Sequence, residues 1–130
     1  MYVIIAGGGR TGTQLARFLI TEGHEVHVIE NRPNVLALLH REIPSEMIHE
    51  GNPVDPLVLE QAGIKKARVI AAVTTSDEDN LVICYMARMR YNIERTIARI
   101  NNPRNSWLFS DVFHVDVAVN QSEIMAHLIG

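Results

Sequence analysis

Six short runs of apolar, β-favouring residues alternate along this chain with segments of helical periodicity. The predicted strands span residues 2–6, 25–30, 46–50, 68–73, 95–100 and 115–120. Helices are predicted over residues 11–21, 55–62, 77–91, 103–111 and 122–129, and another begins near Pro33. Such alternation is typical of a parallel sheet with helices on both faces and right-handed crossovers. We therefore predict a doubly wound α/β fold with six strands in the order 3-2-1-4-5-6.

Length and composition limit the remaining possibilities. The 130 residues suffice for one domain, so we expect a single domain over residues 1–130 without a second lobe. Hydrophobic residues make up 47% and charged residues 21%, an ordinary globular mixture that excludes disordered and collagen-like chains. A single cysteine, Cys84, excludes a disulfide scaffold.

Charge and hydropathy exclude further classes. The net charge of −3 argues against a nucleic-acid partner. The longest apolar run, residues 81–87, is far shorter than a membrane span. Since the first residues lack a basic leader and a small-residue cleavage site, we also expect no secretory signal.

Three glycines follow the first predicted strand and open the first predicted helix. Gly7, Gly9 and Gly12 form the pattern G-x-G-x-x-G in the strand–helix context that makes it specific. Gly7 allows a tight turn, Gly9 lets a pyrophosphate approach the backbone, and Gly12 lets the helix pack on the strand. The helix N-terminus then offers free amides to phosphates. The alternative is that the glycines serve only a tight turn.

Glu30 ends the second predicted strand, 23 positions after Gly7. An acid at this place accepts hydrogen bonds from ribose hydroxyls and repels a 2′-phosphate, which disfavours NADP. The alternative is a solvated strand end. Arg32, two residues later, weakens the argument against NADP.

The predicted strand order places other polar residues around the same crevice. Strands one and four are neighbours where the winding reverses, so the loop 74–77 should face the glycine loop, with Asn52 on the other flank. Asp77 could instead cap the following helix, as could Ser76. Arg10 could contact a phosphate or lie at the surface, and Arg99 could reach a phosphate or a neighbouring subunit.

The helix over residues 79–91 is apolar nearly all round. One stripe would face the sheet, and exposed apolar area on the other side usually marks a partner surface. The last helix also carries surplus apolar residues, among them Ile124 and Leu128. We therefore expect self-association through these two helices. The alternative for the first of them is burial under a loop of its own chain.

These residues together resemble the TrkA N-terminal family, also called the KTN domain or the N-lobe of RCK (regulator of conductance of potassium) domains. The resemblance covers nearly all of the chain. It rests on residues 3–12, 28–30, 49–55, 59–64, 73–80 and 97–103.

The resemblance implies a cytoplasmic regulatory domain that assembles as a homodimer or a higher ring. Such a domain binds NAD(H) or ATP/ADP and acts on a membrane potassium channel or transporter subunit at the inner face of the membrane. By position, Gly7, Gly9, Arg10 and Gly12 would hold phosphates, Glu30 the ribose, and Asn52, Thr74 and Asp77 the nucleoside. Arg99 would lie near phosphates, either of its own site or of an adjacent subunit. Gly8, Thr11, Asn31 and Thr75 complete the predicted site.

Two other readings remain open at the level of sequence. The first is the cofactor-binding half of an NAD-dependent oxidoreductase. We expect no enzyme, because the histidines are scattered, Cys84 lies in an apolar helix, and no catalytic pair has convincing spacing. The second is a degenerate domain that serves assembly only. No metal site is expected.

Overall fold

The computed structural model describes all residues from Met1 to Gly130. Six parallel strands form one sheet in the order β3-β2-β1-β4-β5-β6, which confirms the predicted fold. The strands are β1 (Tyr2–Ala6), β2 (Glu25–Glu30), β3 (Ile48–Glu50), β4 (Val69–Ala72), β5 (Arg95–Arg99) and β6 (Val117–Val119). Since the order reverses between β1 and β4, a crevice opens beyond the carboxyl ends of these two strands.

Five α-helices connect and flank the strands. They are α1 (Arg10–Thr21), α2 (Pro33–Glu42), α3 (Pro56–Gln61), α4 (Asp77–Tyr91) and α5 (Gln121–Ile129). Pro33 and Pro56 lie in the first turns of their helices, where the missing N–H group costs no hydrogen bond. Ser76 caps α4, because its hydroxyl accepts a hydrogen bond from the Asp79 amide at 3.2 Å.

The sheet separates two apolar cores. Ile4 packs in the larger core together with Leu59 and Ile83, whereas Ile5 packs in the smaller core together with Leu39. Neighbouring residues of β1 are therefore buried on opposite faces of the sheet. This double burial explains why the central strands are apolar throughout rather than alternating.

Three predicted elements differ from those observed. Residues 46–47 belong to a 3₁₀ turn (Ser45–Met47), so β3 is shorter than predicted. The helix predicted over 103–111 is a 3₁₀ helix (Pro103–Leu108), and a separate 3₁₀ turn (Asp111–Phe113) follows because the chain leaves helical geometry at Phe109. The sixth strand is predicted from residue 115, but β6 pairs with β5 only from Val117 onward. Val115 precedes the strand and is buried in the core, which accounts for the apolar residue at this position.

Helix α4 has more apolar surface than the sheet can cover, as predicted. Leu81, Ile83, Cys84 and Ala87 are buried, whereas Val82, Tyr85 and Met89 are exposed. The apolar residues of α5 are exposed too: Ile124, Met125, Leu128 and Ile129. None of the helices combines the length and the apolar character that crossing a bilayer requires.

Candidate functional site

The turn from β1 into α1 requires glycine at two positions, one in the loop and one in the first turn of the helix. Gly7 has a φ of +115°, and a Cβ atom there would lie 2.9 Å from the Val73 carbonyl oxygen. A Cβ atom at Gly12 would overlap the carbonyl oxygen of Gly7. At Gly9, in contrast, a Cβ atom would fit, because its nearest neighbour would be Arg32 Nη2 at 3.6 Å. Gly7 and Gly12 thus allow strand, loop and helix to pack closely, and Gly9 lets another group approach the loop.

The first turn of α1 keeps its amides free. Gly9 is the N-cap residue and offers no side chain to cap the helix. The backbone N–H groups of Arg10, Thr11 and Gly12 donate no hydrogen bond to other groups of the chain. Unpaired amides at a helix N-terminus, together with the helix dipole, favour a bound anion such as a phosphate.

Glu30 is buried at the end of β2, so the alternative of a solvated strand end is wrong. Its side chain is only 3% exposed. Oε1 accepts hydrogen bonds from the Gly8 amide and from Arg32 Nη2, each at 2.9 Å. Oε2 accepts from the amides of Asn31 (2.9 Å) and Arg32 (2.8 Å) and from Arg32 Nε (3.0 Å). Burial alone would raise the pKa of Glu30, but these hydrogen bonds, led by those of Arg32, outweigh it and lower the pKa to about 2.

A crevice of about 140 Å³ lies between the ends of β1, β2 and β4. Six of the predicted site residues line it: Gly7, Glu30, Asn31, Asn52, Thr74 and Thr75. Gly8, Gly9 and Arg10 face a second groove of about 440 Å³, between α1 and α2. The glycine loop therefore separates the two spaces and borders both.

Thr74 is held in place by Asn80, which is not among the predicted site residues. Asn80 is fully buried, and its Oδ1 accepts hydrogen bonds from the Thr74 amide (3.0 Å) and hydroxyl (2.7 Å). Its Nδ2 group donates to the carbonyl oxygens of Thr74 (3.2 Å) and Arg99 (3.0 Å). The side-chain amide thus joins the loop after β4 to the end of β5. The sequence feature that indicates this role is a lone asparagine among the apolar residues of the helix face that packs on the sheet.

The Asp77 carboxylate is turned toward the segment after β5. It accepts hydrogen bonds from the amides of Asn101 (2.6 Å) and Asn102 (2.9 Å) and from the side chain of Asn105 (2.9 Å). Burial alone would raise the pKa of Asp77, but these donors outweigh it and lower the pKa. The predicted contact of Asp77 with a nucleoside stays a prediction, and it would require the carboxylate to leave these partners.

Arg99 contacts Thr74 but lines a separate groove, together with Asn101 and Asn120, and it has unused hydrogen-bonding capacity. Its Nη2 donates to the Thr74 carbonyl oxygen at 2.9 Å, whereas its buried Nε has no partner. Burial lowers the pKa of Arg99, the nearby charge of Asp77 opposes this shift, and the charge of Arg32 adds to it. An unsatisfied buried donor on a cation fits an anionic ligand. A nucleotide with phosphates is therefore compatible with the residues present.

Two histidines that look scattered in the sequence are adjacent in the sheet. His27 Nδ1 lies 2.8 Å from His49 Nε2, and His27 Nε2 lies 2.9 Å from Glu25 Oε2. They meet because β2 and β3 pair, a relation that sequence spacing does not reveal. No cluster of three or more potential metal ligands forms.

Cys84 is a structural residue, as predicted. Its side chain is fully buried, and burial, reinforced by the charge of Asp116, raises the pKa of the thiol to about 12. A thiol with this pKa is not a nucleophile at neutral pH. The crevice and the adjoining glycine loop thus present free amides, an arginine and a carboxylate, groups that suit phosphates and hydroxyl groups.

Sequence comparison identifies the relatives of this chain. The sequence model of the TrkA-N domain matches residues 3–121. The chain is 35% identical over 129 residues to the Trk system potassium uptake protein TrkA of Mycobacterium tuberculosis, covering 99% of this chain and 58% of that protein. It is 43% identical over 112 residues to the TrkA homolog of Methanothermobacter thermautotrophicus, covering 86% of this chain and 51% of that protein. The chain thus spans little more than half the length of these relatives.

Solved structures share the fold at lower identity. The GsuK channel bound to NAD superposes with a TM-score of 0.81 at 24% identity, covering 99% of this chain and 22% of that chain. GsuK bound to ADP gives a TM-score of 0.80 at 24% identity, covering 99% and 32%. The Kef CTD of Shewanella denitrificans in its AMP-bound form gives a TM-score of 0.82 at 22% identity, covering 100% and 77%. By its match over residues 3–121 and its identity to curated TrkA proteins, this chain belongs to the TrkA-N domain family.

Proposed function

We propose that this chain is a nucleotide-binding regulatory domain of a potassium transport system. The observation that carries the proposal is the row of free amides in the first turn of α1, beside the buried, ionised carboxylate of Glu30. This pair of features suits the phosphates and the ribose of one ligand. The similarity to potassium uptake proteins supports the regulatory role.

The proposed ligand is NAD(H) or ATP/ADP, which share an adenosine and a diphosphate. Support comes from relatives of the same fold, whose structures contain NAD, ADP or AMP. Glycines 7, 9 and 12 and Arg10 would hold the phosphates, with Gly8 and Thr11 beside them. Glu30, next to Asn31, would take the ribose. Asn52, Thr74 and Asp77, with Thr75 nearby, would contact the nucleoside, and Arg99 a phosphate.

Regulation would proceed by binding and not by catalysis. A ligand shifts a conformational equilibrium only if it binds one state more tightly than the other. A nucleotide that moved Thr74 would act on Asn80 and Arg99, and thereby on α4 and β5. We propose that this change rearranges a dimer formed through α4 and α5. The dimer would act on a membrane subunit from the cytoplasmic side.

Nucleotide binding is tested by thermal unfolding with NAD, NADH, ATP, ADP and AMP. We expect at least one of them to raise the melting temperature by about 10 °C at a concentration one hundred times its Kd. Glu30→Gln should lose most of this shift, because a neutral amide is a poorer acceptor for the ribose hydroxyls. If no nucleotide shifts the melting temperature at millimolar concentration, the chain serves assembly only. Steady oxidation of NADH by the chain would instead favour an oxidoreductase.

The dimer surface is tested by placing charges on the exposed side of α4. Tyr85→Glu with Met89→Glu should reduce the mass measured by light scattering from at least two chains to one, because carboxylates are costly to bury. Met86 is unsuitable for this purpose, since it packs against the larger core. Phe18→Glu, on the exposed side of α1, is the control and should leave the mass unchanged. An unchanged mass for the double variant would exclude this face as the interface.

A further inference from the structure

The acceptor oxygens of Glu30 are already fully used within the chain. A carboxylate offers about four lone-pair positions, and five donors point at this one. Three of the donors are backbone amides, those of Gly8, Asn31 and Arg32. The other two are Nε and Nη2 of the Arg32 side chain. The two hydroxyls of a ribose can therefore reach Glu30 only if some donor leaves.

The Arg32 side chain is the donor that is able to leave. It is 42% exposed, whereas the amides are fixed by the course of the loop. It also lines the crevice and lies next to the glycine loop, since Nη2 is 3.6 Å from where a Cβ atom of Gly9 would be. The guanidinium therefore lies between the Glu30 carboxylate and the glycine loop.

We propose that Arg32 makes the site selective for phosphorylated nucleotides over nucleosides, an inference that rests on the proposed nucleotide function. On binding, ribose hydroxyls replace the guanidinium at Glu30, and the released guanidinium pairs with the phosphates at the glycine loop. A nucleoside breaks the same ion pair but brings no anion to receive the arginine. Hydrogen bonds between charged groups are stronger than neutral ones, so losing the Arg32–Glu30 pair without gaining a phosphate pair weakens nucleoside binding. The site should therefore prefer nucleotides over nucleosides.

Isothermal titration calorimetry with ADP and adenosine tests this exchange. In Arg32→Gln we expect adenosine to bind more tightly and ADP more weakly than in the wild type. The ratio of the adenosine Kd to the ADP Kd should therefore fall at least about tenfold. Arg32→Lys should give an intermediate ratio, because an ammonium carries the charge but cannot bind the carboxylate in bidentate fashion. Arg41→Gln removes an exposed charge from α2, the helix that follows Arg32, and should leave the ratio unchanged.

Two results would overturn the proposal. The first is a ratio in Arg32→Gln within twofold of the wild-type ratio. The second is weaker binding of adenosine by Arg32→Gln than by the wild type, which a merely structural role of Arg32 would produce. Either result leaves the proposed function intact, since the wild type still binds ADP. If the wild type binds neither ADP nor any other adenine nucleotide, the proposed function and this inference fail together.

Discussion

Gly12→Ala should destabilise the protein by about 3 kcal/mol, which lowers the melting temperature by roughly 10 °C. The added methyl group would overlap the Gly7 carbonyl oxygen and lie 2.9 Å from the Gly7 carbonyl carbon. Both are backbone atoms, so no side-chain rotation relieves the clash. Gly7 is itself held in place, because its amide donates a hydrogen bond to the Ile29 carbonyl oxygen at 2.9 Å. Urea unfolding followed by circular dichroism measures the loss.

Gly9→Ala is the matched control within the same motif. Gly9 has a φ of −72°, which alanine adopts freely, and the nearest atom to its Cβ position is the mobile end of Arg32 at 3.6 Å. We expect its stability to stay within about 0.5 kcal/mol of the wild type. An equal loss in both variants would mean that the contact between α1 and Gly7 is not what makes Gly12 necessary.

Asn80→Leu should also cost about 3 kcal/mol, for an electrostatic reason and not a steric one. Leucine suits the apolar surroundings, but it can neither accept from Thr74 nor donate to the Arg99 carbonyl oxygen. The Thr74 amide would then be left without its hydrogen-bond partner, and such groups cost roughly 1–3 kcal/mol each when buried. Nucleotide affinity should fall as well, because the loop that carries Thr74 loses its anchor.

Val82→Ala provides the comparison for Asn80→Leu on the same helix. Val82 is exposed, so we expect little change in the free energy of unfolding. A melting temperature for Asn80→Leu within about 2 °C of the wild type would show that the buried amide network contributes little net stability.

The features that were predictable from sequence are those encoded locally. The glycine motif and Glu30 follow from short-range spacing, and the strand order follows from the alternation of elements together with the handedness of crossovers. Even the burial of Cys84 could be read from its neighbours on α4. These features depend on the periodicity of apolar residues and on local backbone geometry, and the linear sequence indicates both.

The features that escaped prediction depend on which side chains meet across the fold. The pairing of His27 with His49 requires the register of β2 and β3. The role of Asn80 depends on Thr74 and Arg99 converging at one point. The sequence shows Arg32 only as a charge two residues from Glu30, and it does not reveal that the guanidinium donates hydrogen bonds to that carboxylate. Such contacts are fixed by tertiary packing and not by local propensity.

The outermost strands of the sheet, β3 and β6, contain three residues each. Short edges expose few unpaired peptide groups, and proteins use this device to prevent the recruitment of foreign strands. Growth of the sheet into fibrillar aggregates is thereby disfavoured at both margins. Any ordered oligomer of this chain is accordingly expected to form by helix packing, with the sheet enclosed within each subunit.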